Sequence, residues 1–274
     1  ILPVFLLLFL VTLFLLPVWI KRAIGAGLSG EDIHKKEKRK VAEAGGVCVV
    51  SGFAIGLLAY IAINTFVLKS AERIIEIFAV LSTILMISFI AFTDDILGWK
   101  IGLRRRTRIV LVAFASIPLI VINAGESVVG LPYLGQVNLG LFYPLFFIPL
   151  GIVGATTTFN FLAGYNGLEA GLGIILLTGV SFVSYATNNS WLSVIALCMI
   201  APLIVFLTFN FYPAKVFPGD SLTYTVGGLV AIIAILGDFE KIAVFFFIPF
   251  IIETCLKLRG KLKKESFAVL DKNE

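Results

Sequence analysis

Long unbroken apolar runs alternate with short polar breaks along the whole chain of 274 residues. The runs are continuous and lack the in–out alternation of a barrel strand, so they read as membrane-spanning helices. A helix needs about 20 apolar residues to cross hydrocarbon, where every backbone polar group must be satisfied within the segment. Nine stretches meet this description: 2–20, 47–67, 74–93, 109–123, 141–160, 168–187, 192–210, 221–237 and 242–257. The stretch 141–160 carries Pro144, Pro149, Gly151 and Gly154, which predicts a kink. The expected fold class is all-α: a polytopic integral membrane protein of nine transmembrane helices, forming one domain over residues 1–274.

Composition agrees, with 59% hydrophobic and only 14% charged residues, which excludes an ordinary soluble domain. Charge then orients the spans. With loop 21–46 placed inside, loops 94–108, 161–167 and 211–220 and the tail 258–274 also fall inside. That face collects Lys21, Arg22, Lys35, Lys36, Lys38, Arg39, Lys40, Arg104 to Arg106, Arg108, Lys261, Lys263 and Lys264; the other receives Lys69, Arg73 and Lys241. This asymmetry follows the positive-inside rule and puts the N-terminus outside. The net charge of +5 therefore has a topological cause, and nucleic acid is not an expected partner. The first run lacks the basic flank and small-residue cleavage site of a signal peptide, and the opening Ile1 leads us to expect residues ahead of it. Cys48, Cys198 and Cys255 show no metal-ligand or disulfide spacing, so reduced, buried packing is expected of all three.

Three polar segments stand at the ends of apolar runs: FTDD at 92–95, NFLAGYNGLEAG at 160–171 and VFPGD at 216–220. Carboxylates and amides are costly at the edge of hydrocarbon, so Asp94, Asp95, Asn160, Asn166 and Asp220 are functional candidates. The span count brings all of them to the inner face. Adjacent carboxylates such as Asp94 and Asp95 repel unless a cation or proton intervenes. Magnesium takes one or two carboxylates plus substrate phosphates and waters, and Asp220 and Asn160 add further oxygen donors. The competing reading of Asp220, directly before Ser221, is an ordinary helix N-cap. Gly164, Gly167 and Gly171 would let backbone approach a flat ligand, and the Asn166 amide can read a base edge. Arg104, Arg105, Arg106 and Arg108 could neutralise a pyrophosphate or simply anchor the inner face. An ion-coupled transporter is the rival class, but it would hold its acidic groups near the midplane on broken helices.

The ordered motifs FTDD, NFLAGYNGLEAG and FYPAKVFPGD, preceded by GLSGEDIHK at 27–35 and EAGGV at 43–47, resemble the polyprenyl-phosphate N-acetylhexosamine-1-phosphate transferases. Within that superfamily the chain is most similar to the eukaryotic and archaeal UDP-GlcNAc:dolichyl-phosphate GlcNAc-1-phosphate transferases. The resemblance runs from about residue 20 to 250. It implies transfer of GlcNAc-1-phosphate from UDP-GlcNAc to a polyprenyl or dolichyl phosphate with release of UMP, the first lipid-linked sugar of a glycan pathway such as N-glycosylation; another UDP-N-acetylhexosamine is the alternative donor. By motif position, Asp220 and Asn160 would ligate magnesium, or manganese in its stead, and Asp94 and Asp95 would form the essential acidic pair. Gly164 and Asn166 would contact uracil, Phe217 would stack beside it, and Glu43 would lie near the N-acetyl sugar. Arg108 stands where relatives carry a phosphate-binding Lys, with Arg104 and Arg106 nearby. The active site would be cytosolic, in the plasma membrane of a prokaryote or the endoplasmic reticulum membrane of a eukaryote, and a homodimer is compatible with the resemblance. The family has a tenth span, which this chain does not reach, and the basic tail 257–264 would supply cations that relatives place in the last cytosolic loop. The His-rich loop of bacterial relatives is missing, and His34, the only histidine, reads as a solvated loop residue.

Overall fold

The structure, a computed structural model, describes residues 2–32, 40–70, 72–125, 127–131 and 135–261. His34, the basic residues Lys35, Lys36, Lys38 and Arg39, and the tail from residue 262 lie outside the described residues. The elements in chain order are α1 (Leu2–Gly25), β1 (Ser29–Glu31), β2 (Lys40–Ala42), α2 (Gly46–Ala62), α3 (Ile74–Ile101), α4 (Arg105–Ala115), α5 (Ile117–Val121), β3 (Val128–Leu131) and β4 (Gly135–Asn138). They continue as α6 (Ile148–Phe161), α7 (Leu168–Ala186), α8 (Ser190–Asn210), α9 (Gly219–Leu236), α10 (Glu240–Phe246) and α11 (Ile248–Arg259).

Seven helices among the described residues are long and apolar enough to cross a membrane, each over one of the expected runs. The other two expected runs, 109–123 and 242–257, are broken pairs, α4–α5 and α10–α11. Pro118 and Pro249 sit in the first turns of α5 and α11, where a missing N–H costs nothing, so each break falls where proline starts a new helix. The kink expected in 141–160 is a π-helical turn, Tyr143–Phe147, containing Pro144 and leading into α6.

Helix α9 is the hub. All its residues from Ser221 to Ile235 are buried, and α2, α3, α6, α7, α8 and α10 pack around it. Small residues permit this crowding, since helices in lipid associate by close packing and gain nothing from shedding water. A Cβ on Gly227 would stand 2.6 Å from the Ala155 carbonyl oxygen of α6, and one on Gly228 would stand 3.0 Å from Ile87 of α3. Cys48 and Cys198 are buried as expected, but Cys255, on α11, is exposed.

Two antiparallel hairpins, β1–β2 and β3–β4, had no counterpart in the sequence reading. The first extends to a third segment: Ala42 donates to the Lys215 carbonyl (3.3 Å) and accepts from the Phe217 N–H (2.7 Å). The first loop is thereby fastened to the segment that enters α9. Trp19 of α1 secures it from the other side by donating to the Glu43 carbonyl at 2.9 Å.

Candidate active site

The polar candidates gather at one end of the bundle, where α3, α6 and α8 end and α7 and α9 begin. Helix α9 starts at Gly219 after Pro218, and no side chain of its own caps it. Asp95 of α3 does so across the bundle, accepting the N–H of Asp220 at 2.7 Å and of Ser221 at 3.0 Å. A carboxylate there satisfies orphan amides and meets the positive end of the helix dipole. Gly219 has φ +69°, and a Cβ on it would lie 2.5 Å from Asp95 Oδ2, so glycine is required both for the turn and for the approach. Asp220 is therefore not the N-cap of α9, and its side chain is left for other work.

That side chain meets Arg108. One guanidinium nitrogen, Nη1, lies 2.6 Å from Asp220 Oδ2 and 2.8 Å from Asp94 Oδ2. Asp94 also accepts the Leu103 N–H, which ties the turn between α3 and α4 and fixes where α4 presents Arg108. Asp94 and Asp95 thus point to different partners: Asp94 to Arg108, Asp95 to the start of α9. Two carboxylates, Asp94 and Asp220, share one arginine, an arrangement short of positive charge.

Beside this cluster lies a cavity of about 430 Å³, lined by residues that include Glu43, Asn160, Gly164, Asn166, Phe217 and Asp220. Six sequence candidates from separate parts of the chain therefore share one wall. Asn160 Oδ1 accepts from the Thr223 hydroxyl at 2.9 Å, one turn into α9. The loop 162–167 is braced from within: Gly164 N–H donates to Glu169 Oε1 at 2.8 Å, and Gly167 N–H to Asn210 Oδ1 at 3.0 Å. Asn210 is fully buried and donates onward to the Val216 carbonyl at 2.8 Å, joining this loop to the Phe217 segment. Asn166 Nδ2 donates to Asp32 Oδ2 at 2.9 Å. Burial raises the Glu43 carboxyl above its ordinary value.

Asp94, Asp95 and Arg108 stand behind this wall and do not line it; Arg108 reaches it through Asp220. Arg104 and Arg106 are exposed at the start of α4 and are absent from the lining. Asp32, Glu169, Asn210 and Thr223 line the cavity but were not among the sequence candidates. Glu169 was visible as a carboxylate at the start of a span, the same signal that singled out Asp94; Asp32, Asn210 and Thr223 carried none that separated them from loop and helix-end residues. Among the described residues, no three His, Cys, Asp or Glu side chains are grouped as a self-sufficient metal centre.

A sequence-family profile described as "Glycosyl transferase family 4" matches residues 77–238. A Saccharolobus solfataricus protein is 36% identical over 257 residues, covering 93% of this chain and 77% of its own length. The chain belongs to glycosyl transferase family 4. That Saccharolobus relative is provisionally named UDP-N-acetylglucosamine–dolichyl-phosphate N-acetylglucosaminephosphotransferase. A Dictyostelium discoideum protein carrying the same name without qualification is 31% identical, covering 82% of this chain and 63% of its own. A Clostridium beijerinckii phospho-N-acetylmuramoyl-pentapeptide-transferase is 28% identical, covering 82% of this chain and 71% of its own. The family-4 match spans α3 to the end of α9 and so contains Asp94, Asp95, Arg108, Asn160, Asn166, Phe217 and Asp220; Asp32 and Glu43 lie ahead of it. This family-4 transferase is an integral membrane enzyme.

Proposed function

We propose that the protein transfers GlcNAc-1-phosphate from UDP-GlcNAc to a polyprenyl phosphate of the dolichyl type. An oxygen of the lipid phosphate attacks the sugar-bearing phosphorus, a new pyrophosphate bond forms, and the old one breaks to release UMP. The observation that carries this reading is the single cavity that gathers Asn160, Gly164, Asn166, Phe217 and Asp220 at the bundle end, with Arg108 bound to Asp220 behind it. Gly-lined backbone, an amide and an aromatic ring suit a pyrimidine nucleotide, and the acidic wall suits a cation that accompanies phosphates. The relatives' names support the same donor and acceptor.

The chain's own residues would divide the work as follows. Asn166 and Gly164 bind and orient the base, and Phe217 offers a ring face beside it. Glu43 sits on the same wall for the sugar. Arg108 and Asp94 hold the Asp220 carboxylate in place. Asp220, Asn160 and the Thr223 hydroxyl form an all-oxygen donor set with one carboxylate, which fits magnesium, an ion that keeps room for waters and substrate phosphates. When bound, it would offset the negative charge that otherwise keeps a lipid phosphate from approaching a pyrophosphate. The attacking phosphate is already an anion, so positioning and charge neutralisation are the main demands.

The cavity end would face the cytosol, because Lys21, Arg22, Lys40, Arg104 to Arg106, Lys215 and Lys257 collect there while Lys69, Arg73 and Lys241 mark the other end. UDP-GlcNAc would arrive from water and the isoprenoid from the bilayer. The test is UMP release by purified protein given UDP-GlcNAc, polyprenyl phosphate and magnesium. Release that stops when any one of the three is withheld is the expected result; release indifferent to the lipid phosphate would overturn the reading.

A further inference from the structure

The base-reading corner of the cavity contains a contact that the transferase reading does not use. Asp32, 2% exposed, comes from the loop after β1 and accepts a hydrogen bond from Asn166 Nδ2 at 2.9 Å. An ionised carboxylate only accepts, so it fixes which end of the Asn166 amide faces it. The NH₂ group turns to Asp32, and Oδ1 is left on the other side, with no hydrogen-bond donor among the described residues. The bond is a long-range tie between residues 134 positions apart.

A second acceptor stands in the same lining. Glu169 is 4% exposed; its Oε1 accepts from Gly164 N–H, while its Oε2 is buried and has no hydrogen-bond partner among the described residues. A buried acceptor without a donor is costly unless a ligand supplies one. The corner therefore holds two acceptor oxygens with no donor among the described residues, Asn166 Oδ1 and the buried Glu169 Oε2.

We propose that Asp32 is a positioning residue that locks the Asn166 amide with its oxygen toward the ligand, and that this lock, together with Glu169, makes the site select a pyrimidine carrying a ring N–H over one whose ring nitrogen is an acceptor. Uracil has such an N–H at N3; cytosine has a lone pair there. This inference rests on the nucleotide reading above and adds the source of its base preference.

The experiment measures binding of UMP, CMP and N3-methyl-UMP to the purified full chain by titration calorimetry, in the wild type and in Asp32→Asn, Asp32→Glu and Asp32→Ala. The wild type is expected to favour UMP over both other nucleotides by about tenfold or more, the loss that follows from leaving a buried polar group unpaired. Asp32→Asn can both donate and accept, so it frees the Asn166 amide to turn over; the UMP-to-CMP ratio is expected to fall by about tenfold, with recovery in Asp32→Glu. A merely structural role would weaken both nucleotides alike and leave that ratio unchanged. An unchanged ratio in Asp32→Asn, or equal wild-type affinity for UMP and N3-methyl-UMP, overturns this inference while leaving the transferase reading intact. Even if every variant misfolds, equal wild-type affinity for UMP and N3-methyl-UMP still overturns the inference. A wild type that binds no UMP overturns both.

Discussion

Asp95 caps the helix that carries Asp220: the Asp95 carboxylate accepts the Asp220 and Ser221 N–H groups at 2.7 and 3.0 Å. The neighbouring Asp94 instead shares one nitrogen of Arg108 with Asp220. Two adjacent acids therefore act on the same residue, one through its backbone and one through its side chain.

The pair should separate experimentally. Asp95→Ala removes a cap, which typically costs about 0.5–2 kcal/mol, so thermal stability in detergent should fall along with activity. Asp94→Ala should lower activity by orders of magnitude with a smaller change in stability, because Arg108 keeps Asp220. Equal melting losses in the two variants would contradict this division.

Asp220→Asn preserves shape but removes the charge that meets Arg108 and that a magnesium ion would need. It should abolish turnover while the variant remains folded, and added magnesium should not restore it. Near-wild-type UMP release by a folded Asp220→Asn protein would take Asp220 out of the metal site.

Glu43 gives a pH signature. Its carboxyl is raised above its ordinary value of 4.5 by burial, so the folded state disfavours the ionised form. Its contribution is fully present below the unfolded value and is lost as pH rises through the higher folded value. Glu43→Gln should therefore be more stable than the wild type at neutral pH, with the difference shrinking as pH falls toward 4.5. A difference that is constant between pH 4 and 8, measured by melting temperature (a range set by carboxylate titration), would refute the burial argument.

Gly227 tests the packing of the hub. A side chain there would meet the Ala155 carbonyl oxygen and Phe159 of α6. Gly227→Leu should destabilise by about 1–3 kcal/mol or more, since backbone has to move to admit it. The same substitution at Gly154, where a Cβ would meet nothing within 4 Å, should be tolerated far better.

The nine apolar runs were legible because span length and continuity are properties of composition alone. The breaks at Pro118 and Pro249 were not, since proline is compatible with both a kinked span and a new helix. The divergence of Asp94 from Asp95 was also hidden: adjacent helical residues point about 100° apart, and only the neighbouring helices decide what each one meets. In the run from Arg104 to Arg108, the position on α4 decides the same way, leaving Arg104 and Arg106 exposed and turning Arg108 inward. The β1–β2 hairpin, which brings Asp32 and Glu43 to the cavity, has strands of three residues each, too short for an alternating pattern to register.

The most direct test of the central claim follows a phosphorus atom. UDP-GlcNAc labelled with ³²P on the sugar-bearing phosphate is incubated with the purified protein, magnesium and unlabelled polyprenyl phosphate, and the lipid and water phases are separated. Transfer of GlcNAc-1-phosphate carries the label into the lipid phase together with the sugar and leaves unlabelled UMP in the water. Label that stays in water as UDP while the sugar moves to the lipid would contradict the account, as would the absence of any labelled lipid.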